Sequence, residues 1–95
     1  EEEFKKAIAA EPGSPIYQNR LGLFYFNQGR YLESIPLYEK ALAADPENTV
    51  YLVNLGLAHL NLKEGPKAAA YFKKALAIQP GDEQIEEYLR MAEAA

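Results

Sequence analysis

One seven-residue phrase occurs three times in this chain and constrains everything around it. Lys6-Ala7-Ile8-Ala9-Ala10-Glu11-Pro12 returns as Lys40-Ala41-Leu42-Ala43-Ala44-Asp45-Pro46, and again as Lys74-Ala75-Leu76-Ala77-Ile78-Gln79-Pro80. Pro12, Pro46 and Pro80 stand 34 residues apart at each step. A fixed period of this length marks a repeat architecture, in which each unit covers its apolar face with its neighbours. Each copy reads as the end of a helix. Ala and Leu favour the helical state, and a residue before Pro is pushed out of it, so helices are expected to stop near Ala10, Ala44 and Ile78.

Between these stops the chain divides in a regular way. Residues 1–14 hold a helix with Phe4, Ala7 and Ile8 at helical spacing, followed by the turn Pro12-Gly13-Ser14. Residues 15–48 form one unit, with a first helix from Ile16 to Gln28 and a second from Tyr31 to Ala44. Residues 49–82 repeat it, with helices from Val50 to Leu62 and from about Pro66 to Ile78. Aligning the two units gives ten identities in 34 positions, among them Tyr17/Tyr51, Leu21/Leu55, Gly22/Gly56 and Asn27/Asn61. Residues 83–95 form a last helix. Ser14, Asn48 and Asp82 are the expected N-caps, and Pro15 suits the first helical position because its missing N–H costs nothing there.

This pattern resembles the tetratricopeptide repeat. The first unit carries Leu21-Gly22, Tyr25, Tyr38, Ala41 and Pro46, and the second Leu55-Gly56, Ala68, Phe72, Ala75 and Pro80. Phe4, Ala7 and Pro12 match the tail of an earlier repeat. The resemblance implies an all-α fold: about six helices in antiparallel pairs, stacked into a right-handed superhelix with a concave groove. It also implies protein–protein interaction rather than catalysis, with a structural self-assembly segment or a regulatory part of a larger multidomain protein as the alternative readings. Three departures stand out. Gln18 and Leu52 take the place of the family's tryptophan, and Ser34 replaces a small apolar residue. Lys63 and Gly65 replace a turn glycine and the tyrosine that follows it, so that turn is expected to be remodelled.

The ends differ from each other. Glu86, Arg90 and Glu93 stand where the family buries apolar residues, while Ile85, Tyr88, Leu89 and Ala92 keep one apolar stripe. A helix with one charged face closes a solenoid, so 83–95 is read as a C-terminal cap. At the other end, Phe4 and Ile8 have no polar face beside them and are expected to await a partner, either an upstream helix or a second copy in a homodimer. The chain opens on Glu1, without Met and within a helical pattern, and is expected to be a piece of a longer protein.

Composition narrows the chemistry. There is no Cys and a single histidine, His59, so the usual zinc sets cannot be assembled, and no metal or cofactor is expected. A net charge of −4 argues against nucleic acid, and no apolar run reaches the length of a membrane span. His59 has no carboxylate or nucleophile at an evident catalytic spacing and is read as a core residue.

The groove is therefore the candidate site. Its lining follows from the face of each first helix turned away from its partner helix. In the first unit that face holds Ile16, Asn19, Arg20, Leu23, Phe26 and Asn27; in the second it holds Val50, Val53, Asn54, Leu57, Leu60 and Asn61. The last helix adds Gln84, Glu87, Tyr88 and Met91. Leu23, Phe26, Leu57 and Leu60 have no evident partner within their units and are expected to be exposed, with Arg20 and the asparagines free to bond a peptide backbone. Some family members hold a C-terminal carboxylate with a clamp of Lys, Asn and Arg. Asn54 fits one place of that clamp, but Asn19, Leu23, Gln84 and Tyr88 occupy the flanking places, and its cations are absent. The site is expected to take a protein or peptide by another means.

Overall fold

The computed structural model describes all 95 residues as six α-helices without strands. These are α1 (Glu2–Ala10), α2 (Pro15–Asn27), α3 (Tyr31–Ala44), α4 (Thr49–Asn61), α5 (Gly65–Ile78) and α6 (Glu83–Ala94). Three end at Ala10, Ala44 and Ile78, each two residues before its proline. At their starts, Asn48 Oδ1 accepts from the Tyr51 N–H at 3.2 Å, and Asp82 Oδ1 accepts from the Ile85 N–H at 3.1 Å. Each bond satisfies one of the N–H groups that a helix start leaves free. Ser14 occupies the N-cap of α2, but its side chain makes no such bond. There Pro15 does the work, with φ already set for the helix.

Two pairs, α2 with α3 and α4 with α5, pack along their lengths, and each pairing turns on a glycine. A Cβ on Gly22 would lie 2.7 Å from the Tyr38 ring, and one on Gly56 would press still closer on the Phe72 ring. Only a bare backbone lets these rings sit between the helices. Both are fully buried, and burial pushes the Tyr38 hydroxyl up to about 12. Ser34 is also fully buried, and it stays satisfied by donating to the Tyr31 carbonyl at 2.7 Å.

The turn between α4 and α5 corrects the expectation of a remodelled segment. Gln28 and Leu62, the C-cap residues of α2 and α4, have nearly identical backbones, at φ −91, ψ 3 and φ −90, ψ 10. Gly29 then takes φ 76 and Lys63 takes φ 64. The turn is conserved in shape, and a lysine is held in the left-handed region that glycine enters freely. Gly65 is needed for a different contact: a Cβ there would lie 2.5 Å from the Ala92 carbonyl oxygen of α6.

The stack has an inside and an outside. The backbone of α4 comes close to both α2 and α6, whereas the backbones of α1, α3 and α5 stand apart from one another, and only side chains such as Tyr71 of α5, packed on the Tyr38 cluster, reach across. The fan therefore closes along α2, α4 and α6, its concave side, and opens along α1, α3 and α5. At the open N-terminal end, α1 buries none of its residues fully. It is nevertheless docked, which qualifies the expectation that Phe4 awaits a partner: the Phe4 and Phe24 rings lie 5.9 Å apart, and the Tyr25 hydroxyl donates to Glu1 Oε2 at 2.7 Å.

Candidate partner-binding face

All three inner helices contribute to the concave side, and none of the sixteen residues expected there is fully buried. They fall into three groups. Ile16, Leu23, Val50 and Met91 are the free apolar side chains, 53%, 42%, 57% and 48% exposed. Arg20, Asn27, Asn61, Gln84 and Glu87 are exposed polar neighbours. Asn19, Phe26, Val53, Asn54, Leu57, Leu60 and Tyr88 are half-buried.

The half-buried group contains the main correction. Leu57 and Leu60 were expected to lack partners, yet both pack on the core cluster built around Leu52, Phe72 and Ile85. Phe26 meets the Tyr31 ring edge-on at 5.0 Å and packs against the Tyr38, Leu55 and Ala58 cluster. Tyr88 lies stacked on Phe72, with ring centroids 5.6 Å apart. A helix repeats every 3.6 residues, so its groove stripe grades into its packing stripe, and long side chains on the border serve both. The polar residues are likewise less free than expected. Asn54 Nδ2 donates to Asn19 Oδ1 at 2.9 Å, a bond that ties α4 to α2, and Asn61 Nδ2 donates to the Leu57 carbonyl of its own helix at 2.8 Å. Arg20 forms no ion pair, whereas Glu87 is paired with Arg90.

Between α4 and α6 the face deepens into a cleft of about 280 Å³. Val50, Val53, Asn54, Gln84 and Tyr88 line it, all of them expected on this face. Thr49, Gln79, Asp82 and Ile85 line it too and were missed. Three of these belong to helix starts or to the turn before α6, where no face periodicity can be read. Ile85 is a core residue whose edge reaches the cleft. The N-cap role of Asp82 was the one available signal that this corner is built from side chains rather than bare backbone.

His59 lies outside this face. It is buried at 8% exposure, as expected for a core residue, but it does have a carboxylate partner: Nδ1 lies 2.7 Å from Glu64 Oε1. That hydrogen bond holds the Glu64 carboxyl below its usual range.

A family profile described as tetratricopeptide repeat matches residues 1–49 and 25–83, and the chain belongs to that family. A search of curated protein sequences returns no match. Among solved structures, the first TPR of Spaghetti (RPAP3), bound to the HSP90 peptide SRMEEVD, superposes with a TM-score of 0.91 at 19% identity, covering 96% of this chain and 72% of that one. MamA MSR-1 superposes at 0.86 with 28% identity, over 98% of this chain and 53% of its own. PilF of Pseudomonas aeruginosa superposes at 0.85 with 28% identity, over 96% and 42%. The chain thus spans about half the length of the latter two. Fold and family together make it a repeat module of the protein-interaction class.

Proposed function

We propose that this module is non-catalytic and takes a segment of a partner protein along the concave face of α2, α4 and α6. The carrying observation is the strip of free apolar side chains, Ile16, Leu23, Val50 and Met91, contributed by all three inner helices. Water-exposed apolar groups in a continuous concavity favour a partner that removes them from water. The RPAP3 domain holds the HSP90 peptide SRMEEVD, and the same mode is not proposed for this chain. Asn54, the one residue at a clamp position, already donates to Asn19. The face also offers a single unpaired cation, Arg20, which is too little to fix a terminal carboxylate. The partner segment is therefore read as apolar, held by burial and aligned by Arg20, Asn27 and Gln84. Within this reading residues 1–14 are the tail of a preceding repeat, 15–48 and 49–82 are whole repeats, and 83–95 are a cap.

Site-specific photo-crosslinking tests the proposal. A benzophenone side chain at Leu23 or Val50 should trap a partner in the source cell, and the same group at Lys40 or Lys73, on outer helices, should not. Adducts formed equally from both sides would overturn the assignment of the concave face.

A further inference from the structure

The concave face crosses two junctions between inner helices, and the 34-residue register pairs their residues one to one. Where α2 meets α4, Asn54 Nδ2 donates to Asn19 Oδ1 at 2.9 Å, and no cavity opens. Where α4 meets α6, the register puts Val53 at the place of Asn19 and Tyr88 at the place of Asn54. Val53 has no polar atom to offer, so that bond cannot form. Both side chains pack instead on the core cluster around Leu52, Phe72 and Ile85, with the Tyr88 ring stacked on Phe72. The cleft of about 280 Å³ is what this leaves.

A second exchange in register sets its charge. The N-caps at the two junctions are Asn48 and Asp82, and they cap alike, accepting from the third helical N–H at 3.2 Å and 3.1 Å. An amide therefore suffices for the cap, and Asp82 adds a negative charge that capping does not require. It is the one charged residue in the lining of the cleft, and it forms no ion pair. Gln79, Gln84 and Asn54 bring amide oxygens to the rim, and the Asn54 oxygen takes no part in the bond to Asn19. Val50, Val53 and an edge of Ile85 supply hydrocarbon. Helix starts by themselves favour an anion, and both α4 and α6 begin here. Their caps already hold leading N–H groups, and Glu83 and Glu86 in the first turn of α6 shift the balance toward a cation.

We propose that this cleft receives an arginine side chain of the partner segment, an inference that rests on the groove reading for the partner but draws its chemistry from the cleft alone. A space of this size suits one side chain better than a whole small ligand. The arginine methylenes lie along Val50 and Val53, as long charged side chains lie on apolar surface. The guanidinium meets the Asp82 carboxylate, and the amide oxygens of the rim accept its remaining N–H groups. A planar fork with five donors fits such a set of acceptors better than an ammonium does. The Tyr88 ring forms a wall that attracts the same cation.

N-acetylargininamide titrated into the whole chain and followed by amide chemical shifts tests this. Saturable shifts centred on Val53, Gln84 and Ile85 are expected, with an affinity of about millimolar for so small a ligand. N-acetylcitrullinamide, of the same shape without the charge, should bind about tenfold more weakly. Asp82→Asn should weaken the arginine probe about tenfold while keeping the cap, as Asn48 keeps that of α4. Gln84→Trp should block the cleft, and because Gln84 is exposed it keeps the test valid if Asp82→Asn disturbs α6. Sodium propionate should produce no saturable shifts here. Absence of saturable shifts with the arginine probe, equal binding by the citrulline probe, unchanged binding in both variants, or capture of propionate would each overturn the proposal. Crosslinks from Leu23 of α2, outside the cleft, judge the groove reading separately, whatever the arginine probe does.

Discussion

The α2–α3 pair lies between α1 and α4, and the α4–α5 pair lies between α3 and α6; their surroundings are as different as their backbones are alike. Around Phe72 the core gathers seven buried residues, two of them, Ile85 and Ala92, supplied by α6. Around Tyr38 it gathers three, and α1 supplies none. The α2–α3 pair compensates with polar contacts, Tyr25 to Glu1 and Arg30 over Tyr25, although it also buries Gln18 in a place that Leu52 fills with hydrocarbon in the other pair. In a stack held by nearest neighbours, the same register tolerates a dry core at one end and a polar one at the other. Stability should therefore be unequal along the chain, greatest at α4, α5 and α6.

The largest test of that inequality is removal of residues 83–95. It strips Ile85 and Ala92 from the Phe72 cluster, together with Tyr88 and Leu89 that pack against it. At about 1.5–3 kcal/mol for each large buried side chain, the loss should be about 4 kcal/mol, enough to drop the melting temperature steeply and promote aggregation. Thermal melting with light scattering reads both effects. A truncated chain that stays monomeric and equally stable would break the comparison and remove the proposed cap. Next in size are the two glycines under the rings. Gly22→Ala presses on Tyr38 at 2.7 Å, and Gly56→Ala presses closer still on Phe72. Crowding of a buried ring costs about 1–3 kcal/mol, and the helix preference of Ala returns about 1. Denaturant titration should show net losses, larger at Gly56.

Two substitutions should instead stabilise. Gln18 is 5% exposed, its Oε1 has no hydrogen-bond partner, and its Nε2 reaches the Pro12 carbonyl only at 3.5 Å. A buried acceptor left unsatisfied costs about 1–3 kcal/mol, so Gln18→Leu should raise stability by about 1 kcal/mol and make the first pair resemble the second. Lys63→Gly removes the strain of φ 64 and should gain about 1 kcal/mol, visible as slower unfolding or a higher midpoint. A loss at Lys63→Gly would show that the lysine makes a compensating contact.

The helix count, the helix ends and the pairing were legible because they rest on local chemistry repeated in register: alanines before a proline, a glycine facing an aromatic. The groove was legible as a face but not in depth. A helical wheel places Leu57, Leu60 and Phe26 correctly, yet it cannot tell which neighbouring helix leans against them, and all three pack on core clusters. The Lys63 turn was misjudged for a related reason. Residue preference argues against a left-handed lysine, but the tertiary fit of α5 against α4 dictates the turn. The His59–Glu64 bond was hidden as well, since it spans a turn whose shape was not foreseen.

The smallest effect should appear at the weaker end and be local. Hydrogen bonds from Lys5 and then Tyr25 hold the Glu1 carboxyl down, from its ordinary 4.5 to about 2. The sign follows from linkage: a carboxyl depressed in the folded state adds stability above its ordinary value and loses it as pH falls through the depressed one. The docking of α1 should therefore weaken between about pH 4.5 and pH 2, where Glu1 takes up its proton and no longer accepts from Tyr25 in charged form. Because the site is surface-exposed and salt-screened, the change should be confined to α1. Amide exchange at Phe4 and Ile8 should rise over that interval while exchange in α4 and α5 stays level. Glu1→Gln should show the faster α1 exchange already at neutral pH and no further step on acidification. If α1 and α5 loosen together, the chain is acting as one cooperative block, and the contrast between its two helix pairs carries no energetic weight.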